Sequence, residues 1–199
     1  MIAIVDYGMG NLRSVQKAFE YIGYDAIITD KATDLQAASR IVLPGVGAFK
    51  DAIDALNSGG LSDMLKSEIA KGKPFLGICL GMQMLFEKSF EDGEFKGLGL
   101  VNGKVTRFET KLKVPHIGWN KLTIKKRTPL FDGIEDLNFY FVHSYHASGC
   151  KTEDIETSCE YGYEFTASVN KDNIWGVQFH PEKSGDTGLK LLTNFAKIK

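Results

Sequence analysis

Apolar residues follow two textures along this chain. Up to about residue 87, short solid apolar runs alternate with amphipathic stretches. The runs at 2–5, 26–29, 40–43 and 75–78 read as strands buried on both faces, as parallel strands are. Between the first two, Val15, Ala18, Phe19 and Ile22 form one helical face, which Asn11 or Ser14 can cap and Gly23 can end. A short helical piece at 33–39, helices at 49–57 and 61–70, and a helical run at 80–87 fill the remaining intervals. Strands alternating with helices predict a parallel sheet covered on both faces. Sites in such sheets lie beyond the carboxyl ends of the strands, so the loops at 6–11, 44–47 and 79–81 should share one edge.

The pattern changes after Ser89. An acidic, glycine-punctuated loop at 91–99 is followed by short alternating segments at 98–101, 104–108, 122–124, 138–142, 165–169 and 174–179. Turns such as Asn102-Gly103 and Asp132-Gly133 separate some of them. These predict an antiparallel extension of the same sheet plus a hairpin layer, closed by an amphipathic helix at 189–198. With no low-complexity linker and no internal repeat, one domain over 1–199 is expected.

Composition narrows the class of protein. The chain has 199 residues, 43% of them hydrophobic and 25% charged, as a soluble globular protein with one core would. A net charge of −1 gives no global attraction to nucleic acid or an anionic membrane. Three widely spaced cysteines argue against a disulfide framework and for a reducing, cytoplasmic setting. The start of the chain has no basic segment before its apolar run, so it reads as a strand rather than a signal peptide. No apolar stretch reaches membrane-spanning length. Gly8 and Gly10 begin a dinucleotide-type loop, but Arg13 stands where the third glycine is required, so a tight turn is expected.

The chemistry centres on Gly77-Ile78-Cys79-Leu80-Gly81, a strand running into a helix with a cysteine at the bend. Glycines two residues to either side allow a sharp turn, and a helix N-terminus favours thiolate over thiol. Such a sulfur suits nucleophilic attack, although a lone cysteine in a strand-to-helix connection is more often inert. A nucleophilic thiol needs a base and a group to hold that base. Among His116, His143, His146 and His180, the last has the best surroundings. It follows an apolar run and precedes Pro181, which keeps it extended, so Glu182 two residues on can lie on its side and orient its ring. His116 follows Pro115 in a loop, His143 reads as a strand-end histidine, and His146 is expected on the surface. Pro44-Gly45-Val46-Gly47 is a rigid turn at a strand end, either a plain turn or a source of N–H groups for an oxyanion. No Cys/His cluster has zinc spacing, and neither metal nor cofactor is expected.

Gly77-Ile78-Cys79-Leu80-Gly81-Met82-Gln83, together with Gly176-Val177-Gln178-Phe179-His180-Pro181-Glu182, resembles the triad-type glutamine amidotransferases. Asp6-Tyr7-Gly8-Met9-Gly10-Asn11, Leu43-Pro44-Gly45-Val46-Gly47-Ala48-Phe49, Pro115-His116-Ile117-Gly118-Trp119-Asn120 and Tyr140-Phe141-Val142-His143-Ser144-Tyr145 are similar to the glutaminase subunits of imidazole glycerol phosphate synthases. The resemblance spans essentially the whole chain. It implies a flavodoxin-like α/β fold and a Cys79, His180, Glu182 triad that hydrolyses L-glutamine. It also implies backbone oxyanion donors at Leu80, Val46 and Gly47. The amino-acid end of glutamine would lie near Gln83, Glu91 and the His143, Ser144, Tyr145 backbone, with Gln83 alternatively a helix-surface residue. The implied partner is a (β/α)8 cyclase subunit in a heterodimer, which takes the ammonia for histidine biosynthesis. Asn11, Trp119 and Lys183 are candidate docking residues, or else a cap, a core aromatic and a solvated lysine. The rival readings are a related glutaminase feeding another acceptor enzyme, as in surface-sugar modification, a cysteine peptidase on the same kind of sheet, and a non-catalytic binding module.

Overall fold

The computed structural model describes residues 1–198. The first half runs β1 (Ile2–Val5), α1 (Leu12–Tyr21), β2 (Ala26–Thr29), α2 (Ala32–Ala37), β3 (Arg40–Gly45), α3 (Phe49–Ser58), α4 (Leu61–Ala70), β4 (Phe75–Cys79) and α5 (Leu80–Gln83). The second half runs β5 (Lys88–Ser89), β6 (Phe95–Lys96), β7 (Lys104–Arg107), β8 (His116–Ile124), β9 (Asn138–His143), β10 (Tyr145–Ser148), β11 (Ile155–Glu160), β12 (Glu164–Lys171), β13 (Ile174–Val177) and α6 (Gly185–Lys197). The strands line up as β2-β1-β3-β4-β13-β12-β10-β7-β5-β6, and β11, β8 and β9 branch from β12 as a second layer. The expected α/β architecture with an antiparallel extension is the one observed.

Strand alternation builds the two sides of the core. Ile2 and Ile4 join one apolar cluster with Val15 and Phe19 of α1 and Leu191 and Phe195 of α6. Ala3 and Val5 face the other way, toward Leu35, Phe49, Leu56 and Leu65 of α2, α3 and α4.

The details differ from the sequence pattern at instructive places. The run at 174–179 belongs to the parallel half, because β13 pairs with β4 in parallel, Gly176 beside Gly77 and Val177 beside Ile78. It ends at Val177: the Gln178 N–H still bonds to β12, at Ala167 O 2.8 Å away, and the His180 N–H then turns to Tyr140 O of β9 at 2.9 Å. The helix expected at 80–87 stops at Gln83. The carbonyls of Met84, Leu85 and Phe86 instead accept N–H groups of residues 98–101, so that stretch packs as a loop and not as the expected strand. The segment at 122–124 is the end of a nine-residue strand starting at His116. The last helix begins at Gly185, four residues earlier than its apolar periodicity suggests. Gly188 belongs in its first turns because any Cβ there would strike the Pro181 carbonyl.

Gly77 and Gly176, side by side in β4 and β13, let α5 lie directly on the sheet. A Cβ on Gly77 would come within 2.7 Å of Gly81 O, and one on Gly176 within 2.8 Å of Met82 Cγ. A Cβ on Gly81 would overlap the Leu43 carbonyl oxygen of β3. Gly81→Ala is therefore expected to lower stability by about 3 kcal/mol, read as a shift of the urea midpoint. An unchanged midpoint would contradict this packing.

Candidate active site

The bend after β4 is made by Cys79 itself. Its φ of 55° and ψ of −108° lie where L residues rarely sit. The flanking glycines contribute close approach rather than unusual dihedrals: α5 is held against β3 and β4 through Gly77 and Gly81, and the strain falls on the cysteine. The side chain is nearly buried, 7% exposed.

The parallel pairing of β13 with β4 brings the residues after Val177 to the same edge. His180 and Glu182 lie there with both side chains buried, and His180 Nδ1 stands 2.8 Å from Glu182 Oε1. Ser184, without a role in the sequence reading, fixes this turn: its hydroxyl donates to His180 O at 2.6 Å and accepts the Tyr140 N–H at 3.0 Å. With Nδ1 given to Glu182, Nε2 is the working nitrogen of His180. Among the described residues, Nε2 has no aligned hydrogen-bond partner, and the Cys79 thiol is the group beside it. Burial disfavours the charged ring, but the Cys79 sulfur and the Glu182 carboxylate outweigh it, and the His180 pKa is pushed up to about 10.

Two of the three loops expected at this edge, 44–47 and 79–81, meet here, while the loop at 6–11 does not line the cleft and touches its wall through Tyr7. A cleft of about 470 Å³ is lined by Val46, Gly47, Cys79, Leu80, Gln83, Glu91, His143, Ser144, Tyr145, His180 and Lys183, with Pro115 and Val142. Thus the candidate nucleophile, base, oxyanion turn and substrate-contact positions open onto one cavity. Glu182 lies behind His180, and Asn11 and Trp119 lie outside the lining. Gly47 has φ of 98°, which favours glycine in that turn. Tyr7, which sequence reasoning passed over, braces it by donating to Pro44 O at 3.0 Å. Burial pushes the Tyr7 hydroxyl pKa up, and the nearby Cys79 pushes it further in the same direction.

Gln83 is buried, not a helix-surface residue. Its amide nitrogen donates to Tyr145 O at 3.0 Å and to Gln178 Oε1 at 3.1 Å. Glu91 accepts the first N–H of α3, from Phe49, at 2.9 Å. Burial raises its pKa, the Phe49 N–H opposes the rise, and Asp92 and Asp51 add to it. Trp119 is 58% exposed and so is not a core aromatic. Asn11 takes the N-cap position of α1, but its side chain caps no backbone N–H and instead accepts from Ser14 Oγ at 2.9 Å. Lys183 is exposed at the cleft.

The other histidines are buried, including His146, which was expected on the surface, and His116, which lies in β8 rather than a loop. His116 Nδ1 lies 3.0 Å from His143 Nε2, and His143 Nδ1 lies 2.8 Å from Tyr145 O. Tyr145 O can only accept, so His143 donates through Nδ1; burial holds both rings neutral, which leaves His143 Nε2 to accept from His116 Nδ1 and His116 Nε2 to accept from Asn120 Nδ2 at 3.3 Å. Phe108 packs on the rings of His116, His143 and His146, at 6.3, 5.2 and 4.5 Å. Burial lowers the pKa of His116 to about 4 and of His143 to about 3, and lowers that of His146. The unfolded chain binds these protons near the ordinary value of 6.5, so stability is retained above that pH and lost as pH falls toward 4 and 3. The unfolding free energy should fall steeply between pH 6.5 and 4, by several kcal/mol on the order of one per pKa unit, read as a falling denaturation midpoint, and His116→Gln should flatten the slope. A flat midpoint across that range would contradict the buried neutral cluster. Glu156 runs oppositely. Burial raises its pKa to about 8, and hydrogen bonds from Thr128 and Ser168 only partly counter that, so its contribution declines as pH rises from 4.5 to 8.

Among the described residues, no cluster of three His, Cys, Asp or Glu is placed to hold a metal ion, and no helix is long and apolar enough to cross a membrane. A thiol, a buried imidazole held by a carboxylate, and a glycine turn around a small cavity are the parts of an acyl-transfer site. The fold and the cleft thus describe an α/β acyl-transfer protein with its chemistry at the carboxyl edge of a parallel sheet.

The comparisons with known proteins agree. The model of the class-I glutamine amidotransferases matches residues 3–198. The imidazole glycerol phosphate synthase subunit HisH of Caldanaerobacter subterraneus subsp. tengcongensis is 54% identical over 199 residues, covering 100% of this chain and 98% of that one. The HisH subunit of Geobacter sulfurreducens is 50% identical over 206 residues, covering 100% and 99%. A crystal structure of a glutamine amidotransferase superposes with a TM-score of 0.78 at 18% identity, covering 98% of this chain and 100% of that one. The PurLQS structure from Thermotoga maritima gives 0.77 at 19%, covering 98% and 96%. At those identities the structures speak for the fold alone. The chain belongs to the class-I glutamine amidotransferase family and, within it, stands with the HisH subunits of imidazole glycerol phosphate synthase.

Proposed function

We propose that this chain is the glutaminase subunit of an imidazole glycerol phosphate synthase, acting through Cys79, His180 and Glu182. The observation that carries the reading is the convergence of Cys79 and the buried His180–Glu182 pair on one cleft. The Cys79 sulfur attacks the carboxamide carbon of L-glutamine. N–H groups of Leu80 and of the Val46–Gly47 turn receive the oxyanion. His180 protonates the departing ammonia, then takes a proton from the water that hydrolyses the glutamyl thioester, and glutamate leaves. Glu182 accepts the Nδ1–H of His180, which orients the ring with Nε2 toward the sulfur and leaves that nitrogen free to take and give the proton.

Glu91 receives the ammonium of glutamine, and its acidic neighbours Asp51 and Asp92 favour a cation there. Gln83 and the His143, Ser144, Tyr145 segment hold the amino-acid end. A continuous sheet path joins both halves of the chain, which supports one domain over 1–199. Three free cysteines fit a reducing cytoplasm.

Ammonia formed here needs an acceptor, and the relatives' names place them in a synthase. A (β/α)8 cyclase subunit docked over this edge in a heterodimer takes it up for histidine biosynthesis. Exposed Trp119, Asn11 and Lys183 are offered to that partner. The test is glutamate release from glutamine with and without the ligand-loaded cyclase. Release should be weak alone and stimulated by the partner, and equal turnover in both would overturn the pairing.

A further inference from the structure

Gln178 is fully buried and stands between the nucleophile and the substrate-contact residues. Its Nε2 donates to Cys79 Sγ at 3.7 Å, and its Oε1 accepts from Gln83 Nε2 at 3.1 Å. The same Gln83 nitrogen donates to Tyr145 O at 3.0 Å, on the strap that lines the cleft. The amides therefore form a directed chain. Tyr145 O and Gln178 Oε1 both accept from Gln83, which leaves the Gln178 N–H end facing the sulfur. The backbone fixes this direction too: Gln178 N–H is held by Ala167 O, and His180 lies two residues on along an extended segment.

Besides the uncharged Gln178 amide, two titratable groups lie beside Cys79. One is His180, backed by Glu182, and the other is Tyr7 on the loop after β1. Gln178 differs from both in carrying no charge and exchanging no proton. A neutral donor in a dry site stabilises a thiolate over a thiol without competing for the proton that His180 must move.

We propose that Gln178 is part of the catalytic machinery: its amide stabilises and aims the Cys79 thiolate, and Gln83 sets the orientation of that amide. The residue that holds the amino-acid end of glutamine thus also positions the donor on the nucleophile. This rests on the reading of Cys79 as the nucleophile.

The test uses the full-length protein and its Gln178→Met and Gln178→Glu variants. Met keeps length without a donor, and Glu keeps shape with an acceptor in the donor's place. Iodoacetamide alkylation of Cys79 is followed against pH by peptide mass spectrometry, with partly exposed Cys150 as an internal control. The pH midpoint of Cys79 alkylation should rise by about one unit in Gln178→Met and further in Gln178→Glu, with kcat down about tenfold and the Cys150 profile unmoved. Should Met disturb folding, the Glu variant carries the test alone. Cys79 profiles superimposed on wild type would overturn the proposal even if kcat fell, since lost packing alone lowers activity without moving that midpoint. Glutaminase activity surviving in Cys79→Ala would sink the nucleophile reading instead, so the two failures are distinguishable.

Discussion

Cys79→Ala should abolish glutamate release from glutamine, by about 10⁵-fold or more in kcat, while the protein remains folded. The sulfur has no substitute in the cleft. Cys150 is only partly buried and Cys159 lies in β11, away from the cleft lining. The same position carries a second expectation that ordinary packing would not suggest. Cys79 holds φ of 55° in a region that costs a non-glycine residue about 1–3 kcal/mol. Cys79→Gly should therefore be more stable than Cys79→Ala by about 1 kcal/mol, although glycine normally weakens a strand or helix. A thermal midpoint for the glycine variant a few degrees above that of the alanine variant checks it. An alanine variant of equal or higher midpoint would show that the bend is not strained.

The second large effect concerns Glu182. Glu182→Gln keeps the volume but removes the charge behind His180 and allows the amide to turn its N–H₂ toward Nδ1. The ring is then pushed toward the tautomer that carries its proton on Nε2, so the nitrogen facing the thiol can no longer accept the thiol proton. A loss of about 10³–10⁴-fold in kcat with little change in KM is expected, since Glu182 lies behind His180 and outside the cleft lining, where it acts on the proton transfers and not on bound glutamine. The pH dependence of stability gives an independent reading. The His180 pKa is raised to about 10 in the fold, with the Cys79 sulfur and Glu182 both contributing, so that stabilisation is full below 6.5 and is lost as pH rises through 10. The stability gap between wild type and Glu182→Gln should then be wide near pH 6.5 and narrow near pH 10. A gap independent of pH would contradict the buried ion-pair role.

The parallel half of the fold was legible because its strands are buried on both faces and its helices carry a regular apolar stripe. The segments at 2–5, 26–29 and 61–70 matched to the residue. Legibility failed where tertiary hydrogen bonds override local pattern. Residues 84–86 surrender their carbonyls to a loop, so a helical periodicity ends after one turn. β10 and β11 are rich in polar residues that are nonetheless buried, such as His146, Glu156, Thr157 and Ser158, and alternation cannot reveal such strands.

The candidate site was legible to the extent that chemistry needs particular residue types close in sequence. His180 and Glu182 are two apart on an extended segment, and Cys79 sits between glycines. Gln178, also two residues from His180, could have been found by the same period-two rule. Tyr7 and Ser184 left no comparable trace, because their partners are the backbone carbonyls of Pro44 and His180, and the backbone N–H of Tyr140. The neutral His116–His143 pair is likewise set by the register of β8 against β9, where those residues face each other.

Every step proposed for this cleft depends on Cys79 attacking the carboxamide carbon of glutamine. Titration with a glutamine-like electrophile, followed by peptide mass spectrometry and residual glutaminase activity, tests it most directly. One equivalent should bind at Cys79, glutamine should protect it, and activity should be lost in proportion to labelling. Inactivation with Cys79 unmodified, or full activity with Cys79 labelled, would contradict it.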